Sequence, residues 1–225
     1  MNIIGNDFKK FANSCGVSTS VYDDFTRHIN NSLTPVVLEE RKLQATAVDV
    51  FSRLLYDRQI FFGSNFTPEA CNVVIAELLY LASLNSNDIN IMINSNGGSV
   101  IDGLAIIDTI DWIKAKFNCD VATICVGMAA SMGAVLLTSG AKNKRYILPH
   151  SRVMIHQVSS VTSGSLKDME IELSESQRCR DDIYKILTET TGKSMEEIVA
   201  ACDRNNWMHG QEVIDFGLAD HILGK

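Results

Sequence analysis

A serine surrounded by small residues is the first candidate for chemistry. Ser131 lies in the segment 127–134, whose other members are glycine, alanine and methionine. The segment comes between a predicted strand and a predicted apolar helix, and the free N–H groups and dipole of a helix N-terminus favour developing negative charge. Ser131 is therefore a candidate nucleophile. Taken alone, the segment is more typical of a serine that caps the helix, and it lacks the G-x-S-x-G elbow of the α/β-hydrolases.

A histidine at the end of an apolar run is the candidate general base. His156 follows Val153-Met154-Ile155 in a predicted strand, whereas the other four histidines lie in terminal segments or near turns. Imidazole is the side chain that most often accepts a proton from a nucleophile near neutral pH. A single histidine in such a strand is more often a hydrogen-bonded structural residue, so this interpretation depends on the other segments.

Paired glycines follow a predicted buried strand. The predicted strand runs from Ile89 to Asn94, and Gly97 and Gly98 follow it in the turn that begins at Ser95. Glycines at a strand end allow the backbone to approach a ligand closely, and exposed N–H groups can stabilise an oxyanion. Many α/β loops carry such a pair, so the pair alone is a weak signal. It does not belong to a G-x-G-x-x-G dinucleotide fingerprint.

The composition limits the class of protein. The 225 residues are 46% hydrophobic, which suits one domain better than two, and the net charge is −7. The acidic balance provides no basic face for nucleic acid. The start of the chain lacks the pattern of a secretory signal, and no apolar run reaches the length of a membrane span. We therefore expect a soluble, cytoplasmic protein that binds neither nucleic acid nor membranes.

The cysteines favour a reducing compartment over a metal site. No two of them form a C-x-x-C pair, and no histidine accompanies them at zinc spacing. We interpret them as free thiols, and a cysteine nucleophile is a weaker alternative to Ser131. The chain contains six: Cys15, Cys71, Cys119, Cys125, Cys179 and Cys202.

Strands that alternate with crossover helices predict an α/β fold with a parallel sheet. Helices are predicted over residues 49–58, 67–84, 100–114 and 130–139. Strands are predicted over residues 59–62, 89–94, 120–126, 145–148 and 153–157. A long, charged helix is predicted over about 165–190. Its apolar residues are too sparse for a wholly buried helix, which suggests an intersubunit contact. Residues 1–34 are interpreted as an extension or arm, and residues 35–225 as a single domain.

Several segments together resemble the proteolytic subunits of the Clp protease family. The similarity extends over roughly residues 36–224. Its most specific parts are the blocks Ile93-Asn94-Ser95-x-Gly97-Gly98, Gly127-x-Ala129-Ala130-Ser131-Met132-Gly133-Ala134 and Leu148-Pro149-x-Ser151-Arg152-Val153-Met154-Ile155-His156-Gln157.

The resemblance implies a fold, an activity and a set of partners. The family has a βα spiral shared with the crotonases and a long protruding handle helix. It uses a Ser-His-Asp triad without metal or cofactor. Seven subunits form a ring, two rings stack into a tetradecamer, and an AAA+ ATPase feeds unfolded polypeptides into the chamber. By resemblance, Ser131 is the nucleophile and His156 the base, with Gly98 and Met132 as backbone donors of the oxyanion hole.

The third triad position departs from the family. Counting from the block Trp207-Met208 places Asn205 where the family has aspartate. An amide can orient an imidazole, but it supplies no charge to the imidazolium. In a serine protease, the same exchange lowers turnover by roughly ten-thousand-fold. We therefore expect slow hydrolysis. Asp203 is an alternative acid, because residues two apart share one face of an extended chain.

Further departures concern the surroundings of the site. Asn96 replaces a proline, Ser160-Val161 replace a glycine pair, the linker 115–119 is longer than usual, and the segment 41–48 lacks a common Arg-Gly-Glu-Arg pattern. The leading hypothesis is an ATP-dependent Clp serine endopeptidase subunit. Two alternatives are a weakly active or inactive ring component that assembles with an active paralogue, and a crotonase-type acyl-CoA enzyme.

Overall fold

A hairpin and a short helix form the described part of the first of two units. The computed structural model describes residues 36–41, 44–159 and 163–224, and the chain divides into the units Met1–Asp57 and Arg58–Lys225. In the first unit, β1 (Val36–Arg41) pairs antiparallel with β2 (Gln44–Asp49), and α1 (Val50–Tyr56) follows. The predicted extension over residues 1–34 lies outside the described residues, so the predicted division into extension and domain stays a prediction.

The second unit is a βα structure built on a seven-stranded sheet. Its strands are β3 (Gln59–Phe62), β4 (Ile89–Ser95), β5 (Val121–Ala130), β6 (Arg145–Ile147), β7 (Arg152–Ile155), β8 (Asn206–His209) and β9 (His221–Ile222). Its helices are α2 (Pro68–Leu84), α3 (Val100–Phe117), α4 (Met132–Thr138), α5 (Leu166–Thr191), α6 (Met195–Cys202) and α7 (Gln211–Phe216). The predicted α/β class is confirmed.

The strand β5 has different neighbours along its length. β3, β4, β5, β6 and β9 are parallel and adjacent in that order. The first half of β5 pairs with β6, and its last three residues pair with β7, which is antiparallel to β8. Gly127 lies where β5 changes its neighbouring strand, with φ 109°, and its N–H donates to the buried Ser151 hydroxyl at 3.0 Å. Beyond this residue, β5 pairs with β7 instead of β6.

Branched apolar residues explain why the central strands are buried. Ile89, Ile91 and Ile93 alternate along β4, so they form one face of the strand, and none of them has exposed surface. Asn90, Met92 and Asn94 on the other face are less completely covered. Every residue of α4 is buried.

A buried ion pair ties the C-terminal segment to the end of α5. The Arg145 guanidinium pairs with Asp220 and also donates to the backbone oxygens of Thr190 and Gly217 at 2.9 and 3.0 Å. Burial alone would raise the pKa of Asp220, but the hydrogen bonds and charge of Arg145 outweigh it and hold that pKa below its usual value. These hydrogen bonds and the opposite charges therefore offset the cost of burying the ion pair.

The structure corrects three predicted boundaries. β5 continues to Ala130 and α4 begins at Met132, so the predicted helix start at residue 130 is wrong. β7 ends at Ile155, so His156 follows the strand rather than lying inside it. α3 continues to Phe117 and ends at Asn118, which adopts a left-handed conformation. Most of the predicted linker over residues 115–119 is therefore the last turn of a helix.

The long helix α5 leaves most of its surface exposed in the single chain. Its 26 residues correspond to a length of about 39 Å. Ile183, Tyr184 and Leu187 are buried near its C-terminal end, whereas the apolar side chains nearer its start are exposed. None of the helices described in residues 36–41, 44–159 and 163–224 is long and apolar enough to cross a membrane.

Candidate active site

Ser131 occupies a tight junction between β5 and α4. Its backbone has φ 55° and ψ −122°, a conformation that is uncommon for residues other than glycine. The Ser131 N–H donates to the Met154 carbonyl of β7 at 2.8 Å, which fixes the junction against the neighbouring strand. The hydroxyl makes no capping hydrogen bond to α4, so the interpretation of Ser131 as a simple helix cap is wrong. The hydroxyl is thus available for another partner.

The paired glycines pack directly against this junction. Gly97 is buried with φ 96°, and a Cβ added to it would lie 2.6 Å from the Ser131 Cβ and 2.8 Å from the Ala130 carbonyl oxygen. Gly98 has φ 148°, and a Cβ there would lie 2.5 Å from the Phe66 carbonyl oxygen. Side chains at either position would displace backbone rather than a flexible group. Glycine is therefore required at both positions, because the neighbouring backbone is too close to accommodate a Cβ.

His156 reaches the serine from the end of β7. Its Nε2 lies 2.8 Å from the Ser131 Oγ, and the imidazole is half-buried. Because Nε2 must accept the hydroxyl proton for Ser131 to act as a nucleophile, the required tautomer carries its hydrogen on Nδ1. The structure thus brings the predicted nucleophile and base into hydrogen-bonding contact.

Two backbone N–H groups border the same cavity. Met132 is the first residue of α4, where N–H groups have no acceptor within the helix. Among the described residues, neither the Met132 N–H nor the Gly98 N–H has a hydrogen-bond acceptor. Both residues line the cavity that contains Ser131 and His156. Backbone N–H groups beside a nucleophile can stabilise an oxyanion, and this role of Gly98 and Met132 stays a prediction.

Asn205 and His156 both lie at the end of the β7–β8 pair. The last paired residues are Ile155 and Asn206, so His156 and Asn205 are the first residues beyond the pair, one on each segment. Asn205 is exposed and lines a cleft together with His156. Among the described residues, however, it makes no hydrogen bond with the imidazole.

Asp203 lies farther along the same segment. The Asp203 carbonyl accepts a hydrogen bond from Gln157 Nε2 at 3.1 Å, and its carboxylate forms a loose pair with Arg204 at 3.7 Å. Among the described residues, this carboxylate makes no hydrogen bond with His156, so its role as the alternative acid stays a prediction.

Comparisons with known proteins agree with this geometry. The family model described as Clp protease matches residues 41–225. The chain is 45% identical over 222 residues to the ATP-dependent Clp protease proteolytic subunit of Porphyromonas gingivalis, covering 98% of each chain. The chain belongs to the Clp protease family. It is also 46% identical over 222 residues to the proteolytic subunit of Bacteroides fragilis, covering 98% of this chain and 99% of the relative.

Membership of the Clp protease family confirms the predicted resemblance. The matching relatives are proteolytic subunits over nearly their whole length, so the predicted enzyme class, a Clp serine peptidase subunit, is confirmed as well. The crotonase-type alternative loses its support. The roles of individual residues stay predictions, because the comparisons concern whole chains.

The apolar wall of the Clp-type cavity was not predicted from the sequence. Beside the polar groups, the cavity is lined by Val100, Val135, Ile155, Ile183 and Leu187. Ile183 and Leu187 come from α5, one helical turn apart, and the sequence analysis assigned that helix to a subunit contact. Their spacing of four residues was the available signal, because it places both side chains on one face of the helix.

The described cysteines do not offer a competing nucleophile. Burial raises the pKa values of the Cys71, Cys125 and Cys202 thiols to about 11, so these groups stay protonated near neutral pH. Burial also raises the pKa values of Cys119 and Cys179. The thiolate is the reactive form of cysteine. Cys15 lies outside the described residues. Ser131 therefore stays the predicted nucleophile among the described residues.

Proposed function

We propose that the chain is a serine endopeptidase subunit of a compartmentalised, ATP-dependent Clp protease. The observation that carries the proposal is the 2.8 Å contact between His156 Nε2 and Ser131 Oγ, beside two backbone N–H groups for which the described residues provide no acceptor. A nucleophile, a base and an oxyanion site in one cavity are the elements of acyl transfer.

The geometry supports a two-step hydrolysis of peptide bonds. His156 Nε2 accepts the Ser131 proton as Oγ attacks the carbonyl carbon, and the N–H groups of Gly98 and Met132 stabilise the oxyanion. His156 then donates that proton to the leaving amine, and the C–N bond breaks. Water, deprotonated by His156, then attacks the acyl carbon, the ester bond to Ser131 Oγ breaks, and Oγ takes the proton back from His156 as the acid leaves. The site requires no metal or cofactor for these steps.

Asn205 limits the rate in this proposal. By resemblance to the family it occupies the third triad position, yet its amide brings no negative charge to the imidazolium that forms when His156 takes the proton. The transition state loses electrostatic stabilisation, and each 1.4 kcal/mol lost corresponds to roughly tenfold in rate. The same observation favours a second candidate function, a weakly active ring component that assembles with an active paralogue.

The exposed half of α5 supports an oligomeric assembly. Leu166, Ile171 and Leu173 are 78, 63 and 55% exposed in the single chain. Leu166 and Leu173 are seven residues apart, so they lie on one face of α5, and Ile171 lies on another. An exposed apolar face is typical of an interface. We propose that α5 forms the contact between two heptameric rings of a tetradecamer. Sedimentation that detects only monomer over a wide concentration range would contradict this assembly.

The partners follow from the family. The relatives are named as subunits of an ATP-dependent protease, and we propose an AAA+ ATPase that unfolds polypeptides and delivers them to the ring. ATP is then consumed by the partner alone. A cytoplasmic location completes the proposal and stays a prediction.

The experiment that tests the catalytic assignment is covalent labelling. A serine-directed fluorophosphonate probe is added to the purified protein, and the modified residue is identified by peptide mass spectrometry. We expect the label on Ser131 and no label in Ser131→Ala. Ser83→Ala, which removes an exposed hydroxyl from α2, should label as the wild type does. A label on another residue, or equal labelling of Ser131→Ala, would reject Ser131 as the nucleophile.

A further inference from the structure

A polar cleft shares His156 with the cavity that contains Ser131. The cleft has a volume of about 470 Å³ and is open to solvent. Its lining residues are His156, Gln157, Ser159, Asp203, Arg204 and Asn205. The apolar side chains that wall the Ser131 cavity are absent from this lining. The cleft is therefore suited to a small hydrophilic ligand.

Three hydrogen-bond donors border the cleft. His156 uses Nε2 for Ser131, so its Nδ1–H is the free donor of the imidazole in the reactive tautomer. Within the described part of the chain, neither that nitrogen nor the Asn205 amide has a hydrogen-bond partner. The Arg204 guanidinium is 88% exposed, and its pairing with the 73% exposed Asp203 is long, at 3.7 Å. Such a pair is worth little in water, so the guanidinium is readily recruited by another anion.

A carboxylate matches these donors in shape and charge. Its two oxygens accept hydrogen bonds from a guanidinium, an amide N–H or an imidazole N–H, and the bonds from charged donors are the strongest. Its negative charge would stabilise the imidazolium that forms at His156 during catalysis, which the neutral Asn205 does not do. The Asp203 carboxylate opposes a second anion, but Arg204 offsets its charge.

We propose that this cleft binds a small free carboxylate, which serves as the missing acid of the Ser131–His156 pair. Asn205 Nδ2 and the Arg204 guanidinium hold the carboxylate, and one of its oxygens accepts the hydrogen bond from His156 Nδ1. This inference rests on the proposed function. The peptidase then responds to the carboxylate concentration around it, including the C-terminal carboxylates of the peptides that it produces.

The test is activation by acetate. Hydrolysis of a fluorogenic peptide by the full-length protein is measured with increasing sodium acetate, and sodium chloride replaces acetate to keep the ionic strength constant. We expect a saturable increase of about tenfold in kcat with little change in KM, because the added charge acts on the transition state. The rate of fluorophosphonate labelling of Ser131 should increase in parallel.

Variants separate the cleft from a general salt effect. Asn205→Asp carries its own carboxylate, so acetate should leave its kcat unchanged. Arg204→Gln should require a several-fold higher acetate concentration for half-activation, relative to its own basal rate. Lys142→Gln removes the same charge from an exposed turn and should respond to acetate as the wild type does. Equal activation by chloride, or equal activation of Asn205→Asp, would overturn the proposal.

Two further comparisons separate a failure of the carboxylate site from a failure of the proposed function, and test whether peptide products are the natural carboxylate. If Asn205→Asp hydrolyses the peptide while acetate leaves the wild type unchanged, the carboxylate site is wrong and the proposed function stands. If neither protein hydrolyses the peptide, with or without acetate, both the carboxylate site and the proposed function are wrong. A short peptide with a free C-terminus should activate at lower concentration than acetate if peptide products are the natural ligand, and its C-terminal amide should not activate.

Discussion

The two sides of His156 differ in how firmly the protein holds them. On the serine side, a backbone hydrogen bond from Ser131 to Met154, close glycine packing and the 2.8 Å contact to Nε2 fix every group. On the other side, Asn205 is exposed and unbonded to the imidazole among the described residues, and the cleft is open. The proposed nucleophile is therefore positioned by the core of the fold, whereas the proposed third member of the triad only lies near His156.

The difference shows that positioning and charge compensation are separable in this site. Ser131 is positioned by elements that also form the sheet, so disturbing it means disturbing β5 or β7. Asn205 lies in the irregular segment between α6 and β8 and contributes no contact that the sheet requires. Preorganisation on one side can therefore persist while the electrostatic contribution of the other side is lost.

The largest expected effect comes from disturbing the serine side. Gly97→Ala adds a Cβ that would lie 2.6 Å from the Ser131 Cβ, so the nucleophile must shift. We expect kcat for a fluorogenic peptide to fall by roughly a hundredfold, the order of loss that a misplacement of about 1 Å causes. Circular dichroism and sedimentation verify folding and assembly.

The matched control for this change is Gly192→Ala. Gly192 also has a positive φ, of 76°, but an added Cβ would meet nothing within 4 Å. We expect the strain of alanine in a left-handed conformation to lower the free energy of unfolding of this variant. The kcat of the folded protein should stay unchanged. Equal loss of kcat in both variants would mean that backbone strain, rather than contact with Ser131, explains the effect.

A smaller effect, an increase in kcat, is expected from a change on the Asn205 side of His156. Asn205→Asp supplies a negative charge near His156, and we expect kcat to rise by about ten- to a hundredfold with little change in KM. Asn206→Asp, at the neighbouring position of β8, should give no such gain. A correctly assembled Asn205→Asp protein without a gain would favour the inactive ring component over the peptidase.

The smallest effect is expected at Asp203. Its carboxylate pairs loosely with Arg204 and, among the described residues, makes no hydrogen bond with His156. We expect Asp203→Asn to change kcat by less than about twofold, in line with the small energies of exposed ion pairs. Steady-state kinetics of the two proteins provides the measurement. A loss above about tenfold would identify Asp203 as the working acid.

Most of the fold was predictable because the central strands and helices have strong local signals. The branched apolar run of β4 and the Thr67-Pro68 start of α2 need no knowledge of their neighbours. The end of β5 lacked such a signal, because glycine and alanine fit a strand and a helix equally. The pairing of residues 128–130 with β7 decides the conformation there, and that pairing is a long-range contact.

The residues of the candidate site could be named from the sequence, but the hydrogen bonds between them could not. Ser131, His156 and Asn205 were found because specific blocks surround them in the sequence. Whether Asn205 touches His156 depends on how the segment after α6 approaches the end of β7, which no local pattern encodes. The cleft lined by Arg204 and Asn205 was missed for the same reason, because its residues come from two segments that are distant in the chain.

The exposed position of Asn205 has an evolutionary consequence. Codons for asparagine and aspartate differ by one nucleotide, and Asn205 is exposed and makes no hydrogen bond among the described residues, so its exchange should cost little stability. Under the proposed function, turnover is then open to selection at one position, independently of folding and assembly. A lineage that benefits from slow proteolysis can acquire it there and can later reverse the change.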